Sequence, residues 1–145
     1  MRTVADLGID YSSGYFGCSL NQLTSLDGVP SRVTGNFNCS YNKLTSLEGA
    51  PSHVVGDFNC SRNKLTSLGC IHVHIQEIDG VFYVFDNPIE SHVLGLLLIK
   101  GVTGIHLDNE QVEEILNRHL GKGRAGMLMA QEELIEAGLE EFAQL

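Results

Sequence analysis

No stretch of this sequence approaches the roughly 18 consecutive apolar residues that a membrane span requires. The longest apolar run, Val93 to Ile99, is interrupted by Gly95 and ends at Lys100. A bilayer-crossing chain is therefore not expected. The opening "MRTVADLGID" lacks the apolar centre of a signal peptide, so a cytoplasmic location is expected. Also missing is any C-x-x-C pair, although there are four cysteines: Cys18, Cys39 and Cys60 stand 21 residues apart and Cys70 follows ten later. That spacing offers neither a zinc pattern nor a disulfide framework, and in a reducing compartment these thiols stay free. Basic residues are scarce, nine against eighteen acidic, for a net charge of −9. The imbalance is local. Residues 1–70 carry five basic and five acidic side chains, whereas 71–145 carry four and thirteen. Such a field disfavours direct contact with nucleic acid or anionic lipid and favours basic partners.

What the sequence does contain is a phrase written three times: "CSLNQLTSLDGVP" from 18, "CSYNKLTSLEGAP" from 39 and "CSRNKLTSLGC" from 60. The register holds for Phe16, Phe37 and Phe58, for Asn21, Asn42 and Asn63, and for Leu23, Leu44 and Leu65. It holds also for Leu26, Leu47 and Leu68, with Gly28 and Gly49, Pro30 and Pro51, and Gly35 and Gly56 completing a 21-residue unit. A fixed period of this size predicts a solenoid, whose units cannot cover their own apolar faces and so stack on one another. At 145 residues, 43% apolar and 19% charged, one soluble domain is expected. Within a unit, "RVTGNFNCS" (32–40) alternates Val33, Gly35, Phe37 and Cys39 against polar residues, which is strand periodicity. Leu44 and Leu47 then precede Gly49 and Pro51, leaving room only for a tight return, one turn of 3₁₀ at most.

The pattern F-x-C-x-x-N-x-L-x-x-L over about residues 14–70 resembles the short leucine-rich repeat of bacterial and bacteriophage proteins, with Phe and Cys standing where two leucines usually stand. The resemblance implies an α/β repeat solenoid of parallel strands. It also implies that Asn21, Asn42 and Asn63 form a ladder bonding the turn of the next coil. The cysteines 18, 39 and 60 would join that structural ladder as inward, small apolar fillers. Function does not follow from the fold alone.

Two irregular, longer repeats follow over 71–108. "VFYVFDNPI" sets Phe82, Val84, Asn87 and Ile89 in the places of Phe58, Cys60, Asn63 and Leu65, three residues late, and "GIHLDNE" points Ile105 and Leu107 inward. Ser91 to Lys100 reads as a short helix between them. The expected total is five parallel strands, preceded by an N-terminal cap over 1–13 and followed by a helical cap over 109–145. Asp108 with Gln111 suggests a capping box opening a helix to about Leu120, and a second helix is expected from about Met127 to Ala137. Leu128, Ile135, Leu139 and Phe142 would share its inner face, opposite Glu132, Glu133, Glu136 and Glu140.

Catalytic chemistry finds little support. Gly121, Gly123 and Gly126 spell G-x-G-x-x-G, but a dinucleotide fingerprint follows a strand and here a helix precedes it, so "GKGRAG" reads as an interhelix loop. His72 and His74 lack a third ligand at a recognisable spacing, and they read as a half-exposed strand or loop. Neighbouring carboxylates such as Glu113 and Glu114 point about 100° apart on a helix. Cys70 has no base marked beside it. No enzyme, cofactor or metal is expected.

The remaining candidates are the outward strand positions, the recognition surface of a solenoid. Stacked across the coils they read Gly17, Asn38, Asn59, Tyr83 and His106, flanked by Ser19, Ser40, Ser61, Phe85 and Asp108 and by Tyr15, Asn36, Asp57, Val81 and Gly104. Beside them stand Leu20, Tyr41, Arg62 and Asp86. Asn38, Asn59, Tyr41, Arg62, Tyr83, Phe85 and His106 are the candidate binding residues, since exposed aromatics beside an Arg compose an interface anchor. Tyr83 and Phe85 could equally be covered by the C-terminal helices. Five strands at ~4.8 Å give a face on the order of 200 Å², short of the ~800 Å² per partner of a standard interface, so helices or self-association into a homo-oligomer would supply the rest. The expected function is non-enzymatic binding of a protein partner, host or viral if the chain is a phage or prophage accessory protein. The alternatives are an acidic nucleic-acid mimic acting through the C-terminal helices and a structural or virion accessory protein.

Overall fold

The structure, a computed structural model, describes residues 4–9 and 14–145. Part of the expected N-terminal cap over 1–13 therefore lies outside the described residues; within it, Val4–Leu7 form a 3₁₀ turn with Val4 buried. Eight short strands are present among the described residues: β1 (Phe16–Gly17), β2 (Arg32–Val33), β3 (Phe37–Asn38), β4 (His53–Val54), β5 (Phe58–Asn59), β6 (Glu77–Ile78), β7 (Val81–Tyr83) and β8 (Gly104–His106). They form two parallel sheets, β1-β3-β5-β7-β8 and β2-β4-β6, wound as a solenoid of about four turns.

The five expected strands are the larger sheet, with Phe16 opposite Phe37, Phe37 opposite Phe58, Phe58 opposite Phe82 and Phe82 opposite Ile105. The smaller sheet corrects the reading of 32–40 as one strand. Val33 and Phe37 are both buried, but on β2 and β3, because the chain turns a corner at Gly35, where a Cβ would lie 3.0 Å from the Gly14 backbone. Alternation alone cannot separate one strand from two strands meeting at a corner.

Inside, the four phenylalanines form a column with centroid separations of 5.8, 5.0 and 5.2 Å, close to the ~4.8 Å between strands. Parallel columns are Cys18, Cys39, Cys60 and Val84; Leu23, Leu44 and Leu65; and, from the smaller sheet, Val33, Val54 and Ile78. These side chains are buried in one continuous core.

Asn21, Asn42, Asn63 and Asn87 close each turn: Asn21 donates to the Cys18 and Ser19 carbonyls of its own coil, whereas Asn42, Asn63 and Asn87 also reach the preceding coil, the direction opposite to that expected. Asn42 Oδ1 accepts from the backbone N–H groups of Asn21 and Leu23, both at 3.0 Å, while its Nδ2 donates to the carbonyls of Cys18, Cys39 and Ser40. Asn63 serves Leu44, and Asn87 serves Asn63 and Leu65, in the same way. One side chain thus pairs up to five backbone groups that a turn leaves buried without partners.

The C-terminal segment covers the end of the stack. The 3₁₀ turn Leu94–Leu98 replaces the short helix expected over 91–100. Beyond the one-turn helix α1 (Ile71–His74), which takes the place of the extended segment expected at His72 and His74, come α2 (Glu110–Arg118) and α3 (Gly123–Glu136). The N-cap of α2 is Asn109, whose side chain accepts from Val112 N; Asp108 instead accepts from the N–H of Asp86. From α2, Asn117 pairs both the N–H and the carbonyl of Ile105 at 2.9 Å, and Glu113 accepts from Leu107 N, so edge strand β8 is sealed by side chains.

Helix α3 starts four residues earlier than expected, inside "GKGRAG", and Gly126 lets it press on α2: a Cβ there would meet His119 O at 2.7 Å. Its buried face is Met127, Ala130 and Leu134, whereas Leu128 and Ile135 are exposed. Of the expected stripe, Leu139 and Phe142 do pack against the core, while on the helix itself the close approach at Gly126 turns Met127, Ala130 and Leu134 inward instead. Gly138, at φ +78°, ends the helix, and the tail returns so that His92, Val93 and Leu94 donate to the carbonyls of Glu141, Phe142 and Gln144.

Candidate functional site

The outer face of the larger sheet carries the candidate binding residues, and the coil geometry decides which of them are available. Directly after each strand the chain enters the left-handed region at Leu20, Tyr41, Arg62 and Asp86, with φ of 60, 58, 55 and 56°. A non-glycine residue there costs about 1–2 kcal/mol, offset by ladder bonds: Tyr41 N donates to Ser61 O and Arg62 N to Phe85 O, both at 3.0 Å. This conformation aims the four side chains outward as a second column beside the sheet. Leu20 and Tyr41 are 74% and 48% exposed. The Arg62 guanidinium lies 4.9 Å from the Tyr41 ring centroid, and its Nε is 3.1 Å from Asp86 Oδ2, so Tyr41, Arg62 and Asp86 form one contact chain across three coils.

At the far end, Tyr83 and His106 stack at 5.2 Å with an interplanar angle of 15°, and Phe85 meets Tyr83 edge-on at 6.3 Å. Tyr83 and Phe85 are half-buried and stand outside the continuous core. His106 is exposed, with Nδ1 3.4 Å from Glu113 of α2. The helical cap thus touches the rim of the aromatic cluster at His106.

Asn38 and Asn59 are less free than expected. Their Oδ1 atoms accept from the N–H groups of Ser40 and Ser61 at 3.0 Å, which fixes the strand-to-turn step, and Ser40 and Ser61 are buried. Asn36 and Asp57 are likewise occupied, accepting at 2.8 Å from the N–H groups of Asp57 and Val81. The structure therefore brings Tyr41 and Arg62 together, and Tyr83, Phe85 and His106 together, with Asn38 and Asn59 as turn supports between them.

The thiols of the ladder are chemically quiet. Burial pushes Cys18 up from 9.0 to about 12, and burial likewise raises Cys39 and Cys60. A thiolate nucleophile or metal ligand needs the opposite shift. Cys70 is exposed and lies outside the ladder.

No protein-family model, curated protein or solved structure matches this chain. No described helix is long and apolar enough to cross a membrane.

One grouping went unrecognised in the sequence. On the smaller sheet His53, Glu77 and Asp79 bring an imidazole nitrogen and two carboxylate oxygens within 4.8 Å of one another, the one such metal-capable set among the described residues. Its signal was the offset of 24 residues that carries Phe58 to Phe82, since the same offset carries His53 to Glu77.

Proposed function

We propose that this chain is a leucine-rich-repeat binding module that engages a protein partner with the outer face of its five-stranded sheet and carries no catalysis of its own. The observation that carries this reading is the outward contact chain of Tyr41, Arg62 and Asp86, which shares a face with the Tyr83, Phe85 and His106 cluster. Aromatic and Arg side chains dominate interface energetics because they bury large area at low entropic cost. Positive-φ residues repeated at each coil also suit a display role, since strain is retained where a side chain must be aimed.

The repeat's likeness to bacteriophage-type proteins fits a host or viral protein in the cytoplasm as the partner. The acidic-mimic reading is weaker. Glu133, central to its row of carboxylates, is engaged by Arg118 at 2.8 Å and by His119, which leaves Glu132 and Glu136 as isolated exposed charges on α3.

Affinity capture from host cytoplasm with the intact chain tests the proposal. Tyr83→Ala and Arg62→Ala are each expected to weaken capture at least about tenfold, with little salt dependence, as for a packed aromatic anchor. Retention by both variants, with loss on charge reversal at Glu132 and Glu136 and in raised salt, would contradict it and favour the mimic.

A further inference from the structure

The smaller sheet carries a second, independent feature. Strands β4 and β6 are paired so that His53 lies opposite Glu77 and Val54 opposite Ile78. Val54 and Ile78 point into the core, so His53 and Glu77 point out, and Asp79, two residues beyond Glu77, emerges on the same side. His53 Nε2 lies 3.7 Å from Glu77 Oε2 and 3.7 Å from Asp79 Oδ2. That is too long for a hydrogen bond, so the imidazole faces two carboxylates without bonding either.

We propose that His53, Glu77 and Asp79 form a zinc site that clamps β4 to β6 on the outer face of the smaller sheet. The imidazole is already spaced for the ion: two donors about 2.1 Å from one ion and 3.7 Å apart subtend about 120°, so each His53–carboxylate pair needs a shift of only ~0.3 Å to reach the tetrahedral angle, while the two carboxylate oxygens, within 4.8 Å of each other, close to about 3.4 Å on binding. Three protein ligands leave the fourth position for water or a partner's side chain.

The scaffold holds the donors in place. Parallel pairing fixes His53 against Glu77, and Asp79 Oδ1 lies close against Gly101, 2.7 Å from where a Cβ on that glycine would be, while Oδ2 faces His53. One imidazole with two carboxylates suits zinc rather than a soft thiophilic ion or a hard ion that prefers oxygen alone. Arg32 lies opposite His53 and Lys100 opposite Glu77, so a cation flanks the group on each side and donor chemistry, rather than a negative local field, carries the choice of ion.

Calorimetric titration of the full chain with zinc chloride at neutral pH, with calcium chloride as control, tests the site. One ion per chain is expected, with a rise in Tm on zinc addition. His53→Ala should weaken binding at least about tenfold with unchanged circular dichroism, and the double variant His72→Ala/His74→Ala should bind as the parent does. If His53→Ala does not fold, Asp79→Asn is held to the same tenfold criterion. Absence of saturable zinc binding, binding unchanged in the folded variant, loss in the His72/His74 variant instead, or calcium binding as tight as zinc would each overturn the assignment.

Discussion

At the scale of single residues, the stack depends on side chains that stand in for backbone. Asn42 alone satisfies two N–H donors and three carbonyls in a buried turn. Asn42→Ala removes all five contacts, and a buried unsatisfied polar group costs about 1–3 kcal/mol. A loss of at least about 3 kcal/mol is expected in urea denaturation. By contrast, Lys43→Ala, next along the chain and exposed, should change stability by less than about 0.5 kcal/mol. The identity of the asparagine ladder was legible because the period repeats it. Its direction was not, since which neighbour an amide reaches depends on the rise of the coil, which no spacing records. The positive φ at Leu20, Tyr41 and Arg62 was invisible for a related reason: these residues lack the glycine or asparagine chemistry that usually announces it.

At the scale of elements, the corners between strands set what the coil tolerates. Gly56 has ordinary φ, yet a Cβ there would lie 2.1 Å from Asn36 Oδ1 and 2.9 Å from Gly35 C, where Asn36 accepts from Asp57 N. Gly56→Ala therefore collides with a bonded side chain and with backbone, and a destabilisation of about 1–3 kcal/mol is expected, read as a fall in Tm. Gly104→Ala is the contrast. Its Cβ would make ordinary contacts of 3.6 and 3.7 Å with Val81, so Tm should move little.

The larger sheet and the helical cap could be read from periodicity, because Phe, Cys and Leu recur at fixed intervals and Gly121 separates two helical stretches. The smaller sheet could not, since its two-residue strands are too short to show a period. The start of α3 and its inner face were missed because a helix entering close contact buries Gly126 and Ala130 and leaves Leu128 outside. At the cap of α2, Asp108 and Asn109 are both competent, and the choice fell to Asn109 because Asp108 is drawn to the Asp86 N–H across the coil.

At the scale of the molecule, the four phenylalanines, three thiols and stacked leucines form one dry interior that runs through about four coils. The exposed outer face of the larger sheet and the His53, Glu77 and Asp79 group on the smaller one both inherit their geometry from that stacking. Side chains 21 or 24 residues apart meet only if coils lie in register. The candidate binding residues could be nominated from the sequence because outward positions are countable. Their grouping into two clusters could not, because it depends on side-chain direction at the positive-φ turns.

The most direct measurement of the stacking is native thiol modification by a maleimide of the size of a small protein tag, read by intact mass. The account predicts one adduct per chain, at exposed Cys70, with Cys18, Cys39 and Cys60 reacting only after denaturant is added. Native-state adducts at those three positions, at rates comparable to Cys70, would contradict a shared interior.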